Sequence, residues 1–234
     1  MTYALFQDDA IQMMSSLENN SVSMTLTDIP YDVVTRTQGS LKKMGSLDKK
    51  DADILTFDLQ PFIDQVIRVT KGSIYVFCST EQAGQIRAQL VDRGLTTRHC
   101  IWEKPDYPPL NGQYFWLSSI ENCIFARKKG AVFNEFCQSV VWRETIERHI
   151  KDHPTPKAVL LMKRLIEASS NPEDIVLDPC MGSGAIGLAA KMSNRQFWGC
   201  DINPEYVAKA KERLDNLDIN DNPWLKKLNK RTKS

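Results

Sequence analysis

Short apolar runs alternate with longer stretches of helical period along this chain. Apolar segments at residues 22–26, 73–78, 97–102, 120–126, 175–177 and 196–200 have the length and composition of strands. Between and around them, residues 61–69, 81–92, 157–169, 185–192 and 205–217 read as helices, and a short helix is expected over 10–17. This alternation predicts an α/β fold: a mostly parallel sheet with helices on both faces. Residues 32–56, 105–119 and 130–152 carry neither period and read as irregular. There are no repeats and no low-complexity linkers, so the 234 residues are expected to form one domain over 1–234, a length that suits one α/β core.

Composition narrows the picture modestly. Hydrophobic residues make up 42% of the chain and the net charge is +1, which fits a globular protein that is not basic overall. No apolar stretch approaches the roughly 20 residues that cross a bilayer, and Met1-Thr2-Tyr3 begins no signal peptide, so the expected location is the cytoplasm. The six cysteines form no C-x-x-C pair and are expected to be reduced thiols. His149 and His153 lie four apart, but Ile150 stands where a metalloprotease helix needs its glutamate, so no metal site is expected. Local charge is uneven. Lysines crowd residues 226–233, and Lys42, Lys43, Lys49 and Lys50 fall in one irregular segment, either as solvated surface or as phosphate contacts.

The richest chemistry lies at Asp178-Pro179-Cys180-Met181-Gly182-Ser183-Gly184. An apolar strand leads into it and a small-residue helix leads out, the arrangement that binds nucleotide-like cofactors in open α/β sheets. Gly182 and Gly184 allow backbone N–H groups to approach a ligand, and Ser183 is small enough to leave room. No Lys-Ser/Thr follows the glycines, so the P-loop pattern fails. Packing alone would also account for glycines in such a turn. Asp201 ends the next strand, 23 positions after Asp178, about where a carboxylate binds ribose hydroxyls. Asp201-Ile202-Asn203-Pro204 also reads as a helix start, with Asn203 capping, and both roles can coexist.

Asp178 to Gly184 resembles the D-P-F-x-G-S-G motif of amino-methylating DNA methyltransferases. Trp198 to Tyr206 is similar to their ribose motif, and His153-Pro154-Thr155-Pro156-Lys157 to their H-P-x-x-K. Thr27-Asp28-Ile29-Pro30-Tyr31 resembles their catalytic D-P-P-Y, and Phe6 to Ala10 their G-D-A segment, with Asp8 in place of the glycine. Segments 72–78, 102–104 and 121–125 fall in the same family order. The catalytic motif precedes the cofactor motif, which identifies the chain as a member of the circularly permuted β group with a Rossmann-like methyltransferase fold.

The resemblance implies an enzyme that uses S-adenosylmethionine. It places Asp9, Ala10, His153, Thr155, Lys157, Asp178, Pro179, Cys180, Gly182, Ser183, Gly184 and Asp201 at the cofactor. Asp9 reads equally well as a helix cap, and Lys157 as a surface lysine. Asp28, Ile29, Pro30 and Tyr31 form the catalytic run: Asp28 and the Ile29 carbonyl hold the target amine, Pro30 stiffens the turn, and Tyr31 stacks on a base flipped from duplex DNA. Ile29 replaces the family's first proline and Cys180 its phenylalanine; neither change removes a group that the reaction needs.

By the same resemblance, Asp at position 28 implies N6 of adenine, since the cytosine-N4 members more often carry serine there. N4 of cytosine, methylation of RNA or single-stranded DNA, and an inactive cofactor- and DNA-binding protein stay open, as does self-association into a homodimer. Restriction–modification and a phage or regulatory role are both open as the setting. Lys42, Lys43, Lys104 and Arg143 are candidate nucleic-acid contacts. The 130–152 segment corresponds to the target-recognition insert and carries Asn134, Gln138 and Arg143 as candidate base readers. It is short, so a short or relaxed recognition sequence is expected.

Overall fold

The computed structural model describes residues 2–30, 57–107, 116–145 and 158–218. Among these, eight strands form one sheet. They are β1 (Tyr3–Gln7), β2 (Val22–Asp28), β3 (Thr70–Cys78), β4 (Thr96–Glu103), β5 (Ile120–Arg127), β6 (Val141–Arg143), β7 (Ile175–Asp178) and β8 (Gln196–Asp201), and their spatial order is β1-β8-β7-β2-β3-β5-β4-β6. All pairings are parallel except those of β5, which runs antiparallel to both β3 and β4. The helices are α1 (Ala10–Ser15), α2 (Leu59–Val69), α3 (Thr80–Asp92), α4 (Val159–Ser169), α5 (Ala185–Met192) and α6 (Pro204–Asp215). The α/β expectation holds.

The central strands β2, β3 and β7 are buried on both faces, and successive side chains enter different cores. In β3, Tyr75 and Phe77 join one apolar cluster with α4, α5 and α6, whereas Ile74, Val76 and Cys78 join a second with α1, α2 and α3. A period of two with apolar residues on both phases is the pattern of a central strand covered by helices on each side. Caps make the helix starts abrupt. Asp58 accepts from the Gln60 amide at 3.0 Å, and Asn203 accepts from Glu205 at 2.9 Å with Pro204 opening α6. The Arg68 guanidinium, at the end of α2, donates to the carbonyls of Met14 and Leu17 at 2.6 and 2.7 Å, satisfying the exposed end of α1.

Two strands were not expected. β1 is a half-buried edge strand of five residues whose partner, β8, lies nearly 200 positions away. β6 has three residues, too few for any period, and exists because Ile101–Glu103 offers it a parallel ladder. β1 sits where a strand following α6 would sit in an unpermuted chain: it pairs with β8, and the Tyr3 hydroxyl donates to Asp215 at the end of α6. The permuted motif order thus has a structural counterpart, a first strand that lies beside the last described helix.

The direction of winding locates the functional edge. From β7 the chain passes through α5 to β8 on one side, and from β2 through α2 to β3 on the other. The boundary between β7 and β2 is therefore the topological switch point, where open α/β sheets bind ligands at the carboxyl ends of the strands.

Close packing beside the switch point sets a first test. A Cβ on Gly187 would lie 2.8 and 2.9 Å from ring atoms of Phe197, which is fully buried. Alanine in a helix gains up to about 1 kcal/mol over glycine, but overpacking a rigid aromatic costs about 1–3 kcal/mol. Gly187→Ala should therefore lower stability, with Tm reduced by about 2–6 °C in thermal denaturation; an unchanged or higher Tm would show that the ring can move aside.

Candidate active site

Three strands end in aspartate at the switch point: Asp28 on β2, Asp178 on β7 and Asp201 on β8. Asp178 is 1% exposed. Its Oδ1 accepts from the Thr27 hydroxyl at 2.8 Å and from the Cys180 amide at 3.1 Å. The first bond joins β2 to β7, and the second shapes the turn. Burial nonetheless dominates, and with the neighbouring charges of Asp28 and Asp201 it raises the Asp178 carboxyl to about 8, so the group is held largely protonated at neutral pH.

The glycine turn is held from within. Asp201 Oδ2 accepts from the Gly182 amide at 2.9 Å, and its Oδ1 from the Asn203 amide at 2.8 Å. The Gly184 amide donates to the Met181 carbonyl at 2.9 Å, and the Met181 amide to Cys200 at 2.8 Å. The amides of Gly182 and Gly184, expected to face a ligand, thus close the turn itself. Glycine is needed for shape: φ is +49° at Gly182 and +79° at Gly184, and a Cβ on Gly184 would lie 2.9 Å from that of Ala210. Ser183 is buried, and its carbonyl and hydroxyl accept from Arg213 at 2.6 and 2.9 Å, which ties the turn to α6. Pro179 is buried, and Cys180 is half-buried against the core on the α1–α3 side.

Asp201 makes two local bonds through its carboxylate. It braces the turn and the start of α6, while Asn203 performs the capping; each of its oxygens keeps further lone-pair capacity. Burial raises its pKa, and the two amide bonds oppose that shift. Asp9 is a helix cap, accepting from the Ile11 and Gln12 amides at 2.9 and 3.1 Å, with Ala10 buried behind it. The chain passes this point beside Asp201, since the Asp8 amide donates to the Asp201 carbonyl at 3.3 Å.

On the other side of the switch point, Ile29 is buried and its amide donates to the Phe77 carbonyl at 3.2 Å. The Pro30 carbonyl accepts from Gln82 Nε2 at 3.0 Å. Tyr31, Lys42, Lys43, His153, Thr155 and Lys157 lie outside the described residues.

The candidate DNA contacts separate into different kinds. Lys104 is paired with Glu121, both largely buried, and lies 4.7 Å from the Trp102 ring centre. Its charge is compensated inside the protein, contrary to the phosphate contact expected from its sequence position. Asn134 donates to the carbonyls of Glu167 and Ser170 at 2.8 and 2.9 Å, completing the end of α4, so it is a cap rather than a base reader. Gln138 accepts from Arg164, which also grips Glu135 through two bonds. Arg143 is the most weakly held of these: its side chain is 74% exposed and pairs with Glu103 at 2.8 Å.

Three residues that shape the site had no role assigned from sequence: Thr27, Gln82 and Arg213. Thr27 and Arg213 look like an ordinary strand threonine and a solvated helix arginine. Gln82 carried a legible signal, the S-x-x-Q capping box with Ser79, but only for the helix start.

Acidic side chains crowded at the carboxyl ends of a doubly wound sheet suit a cationic, ribose-bearing cofactor. A positive ligand offsets the burial that, with the neighbouring carboxylates, raises the Asp178 carboxyl, and Asp201 retains capacity for hydroxyls. Such a sheet and site define an S-adenosylmethionine-dependent methyltransferase. The sequence profile of the N6/N4 DNA methylase family matches residues 22–212, and the chain belongs to that family. It is 44% identical over 248 residues to the DNA adenine methyltransferase YhdJ of Escherichia coli (strain K12), covering 90% of this chain and 82% of that protein. It is 28% identical over 263 residues to the type II methyltransferase M1.MboII of Moraxella bovis, covering 92% and 98% of the two chains. Among solved structures, the M1.HpyAVI–SAM complex superposes with a TM-score of 0.71 at 28% identity, over 92% of this chain and 100% of that one.

The Asp178 carboxyl makes a pH prediction whose sign is fixed. A carboxyl with a folded pKa raised from 3.8 to about 8 binds a proton more tightly in the folded chain. Its contribution is fully present below about pH 4 and is lost as pH rises toward 8. Asp178→Asn keeps an acceptor for Thr27 and Cys180 and removes the ionisation. In the cofactor-free protein it should raise Tm by about 5 °C at pH 7.5, with the difference shrinking toward pH 4. Parallel Tm–pH curves for variant and wild type would refute a buried protonated Asp178.

Proposed function

We propose that this protein transfers the methyl group of S-adenosylmethionine to the N6 amino group of adenine in DNA. One observation carries the reading: Asp28-Ile29-Pro30 and the Asp178–Gly184 turn end adjacent strands at the switch point and are joined by the Thr27–Asp178 hydrogen bond. Likeness to a DNA adenine methyltransferase across 90% of the chain supports adenine as the base.

The cofactor supplies an electrophilic methyl group on a sulfonium when bound. Asp201 would hold its ribose, Asp178 with Thr155 and Lys157 its amino-acid end, and the Asp9 segment its adenine. The chain's own part in the chemistry is to prepare the acceptor. An adenine amine is a weak nucleophile because its lone pair is delocalised into the ring. The Asp28 carboxylate and the Ile29 carbonyl accept hydrogen bonds from that amine, favour a tetrahedral nitrogen and stabilise the positive charge that develops on it. Asp28 need not deprotonate the amine first; the proton leaves after alkylation. Tyr31 stacks on the base, which is flipped out of duplex DNA to reach the site.

Base readout should be sparse. Within 130–145, Asn134 and Gln138 make hydrogen bonds to α4, and Arg143 is an exposed donor. Each good bidentate contact gives about 1–3 kcal/mol of discrimination, so few contacts mean a short or degenerate target.

Nucleoside mass spectrometry of DNA from an expressing, methylation-free host should find N6-methyladenine. N4-methylcytosine in its place would move the assignment to cytosine. Asp28→Ala should abolish most transfer, by about a hundredfold or more, while cofactor binding persists. Long-read sequencing of the same DNA should place the mark in a short or relaxed context; confinement to six or more defined bases would refute sparse readout. Asp201→Ala should weaken S-adenosylmethionine binding by on the order of tenfold or more in calorimetry. Unchanged affinity would remove Asp201 from the ribose.

A further inference from the structure

The turn after β2 must hold the acceptor groups still, yet Ile29 stands where the resemblance places a proline, so a fixed φ is missing from the first position of the turn. The structure restrains it by other means. The Ile29 side chain is buried in the apolar core, and its amide donates to the Phe77 carbonyl at 3.2 Å, a bond that proline cannot make. The Pro30 carbonyl is then gripped by Gln82 Nε2 at 3.0 Å.

Gln82 is well suited to that grip. It is 2% exposed and sits in the first turn of α3. Its Oε1 accepts from the Ser79 amide at 2.9 Å, and its own backbone amide donates to Ser79 Oγ at 3.2 Å. The side-chain amide therefore has one workable orientation. Oε1 must face the Ser79 N–H, so Nε2 must face Pro30; a flip would set donor against donor and acceptor against acceptor. A capping box alone does not call for glutamine, because glutamate closes it equally well. Glutamate lacks the donor that Pro30 needs. The amide is what distinguishes a helix cap from a brace on the catalytic turn.

We propose that Gln82 is a positioning residue for methyl transfer: by fixing Pro30 it sets the Ile29 carbonyl and the Asp28 carboxylate against the target amine, in place of the missing proline. This rests on the methyltransferase reading above. It acts through the turn and touches neither the base nor the cofactor.

Gln82→Met keeps the volume and the bond from its backbone amide to Ser79 Oγ, and removes the donor to Pro30 together with the acceptor for the Ser79 amide. The expected result is a kcat lower by about tenfold, with KM for S-adenosylmethionine and for DNA within about twofold of wild type, as loss of one brace on a buried acceptor implies. Amide hydrogen exchange at Ile29 should quicken by about tenfold while residues 23–27 of β2 keep their protection. A kcat within twofold of wild type would overturn the proposal, and so would a loss of kcat with Ile29 exchange unchanged. If Gln82→Met does not fold, Gln82→Glu at pH 8.5 carries the same readouts, since it preserves both capping bonds and its carboxylate only accepts. A wild-type protein that methylates no DNA would refute the methyltransferase reading instead, and the Ile29 exchange comparison would then decide the positional claim by itself.

Discussion

A single buried hydrogen bond, from the Thr27 hydroxyl to Asp178, joins residues 151 positions apart and brings the two halves of the site together. β2 and β7 pair over only two registered positions, Met24 with Val176 and Thr25 with Leu177. Beyond that short ladder, the strand ends must be held by side chains. An acid at this joint lets one carboxylate meet a strand hydroxyl and a turn amide together, and those contacts orient everything downstream of Asp178. The acid is also costly to bury, and burial raises its carboxyl well above the usual range. Stability and ligand readiness therefore oppose each other at one residue.

Around this joint the site is assembled from hydrogen-bonded braces. Asp201 holds Gly182 and Asn203, Arg213 holds Ser183, and Gln82 holds Pro30. Each ties a turn at a strand end to the start or body of a helix. Turns that must present main-chain groups cannot rely on their own backbone, because a loop alone has too many accessible conformations. The helices, already fixed by two apolar cores, supply the rigidity. The permuted connection leaves this scheme intact: β1 occupies its place beside β8 irrespective of where the chain is cut.

The six strands and the five longer helices were legible because they are long enough for a hydrophobic period to show. The glycine turn and the run at Asp28 were legible because their residue types are unusual in combination. What was not legible depended on partners distant in sequence. β6 needed β4, and the cap role of Asn134 needed the end of α4. Lys104 reads as a surface cation from its neighbours in the chain, but Glu121 is its neighbour in space. Gly182 and Gly184 read as ligand-facing amides, yet Asp201 and Met181 take those donors.

The sequence by itself determined the α/β class, the motif order and the chemical types at the site, because periodicity and residue identity are local properties. It also determined that the run at Asp28 and the turn at Asp178 belong to one reaction, since both motifs resemble those of a single family. Only the tertiary structure decided which donors meet which acceptors. Thr27 with Asp178, Arg213 with Ser183 and Gln82 with Pro30 are separated by 151, 30 and 52 positions. A hydrogen bond forms only within about 3 Å and a narrow range of angles. Such distances are set by how the sheet and helices pack, and packing is a property of the whole chain rather than of any segment.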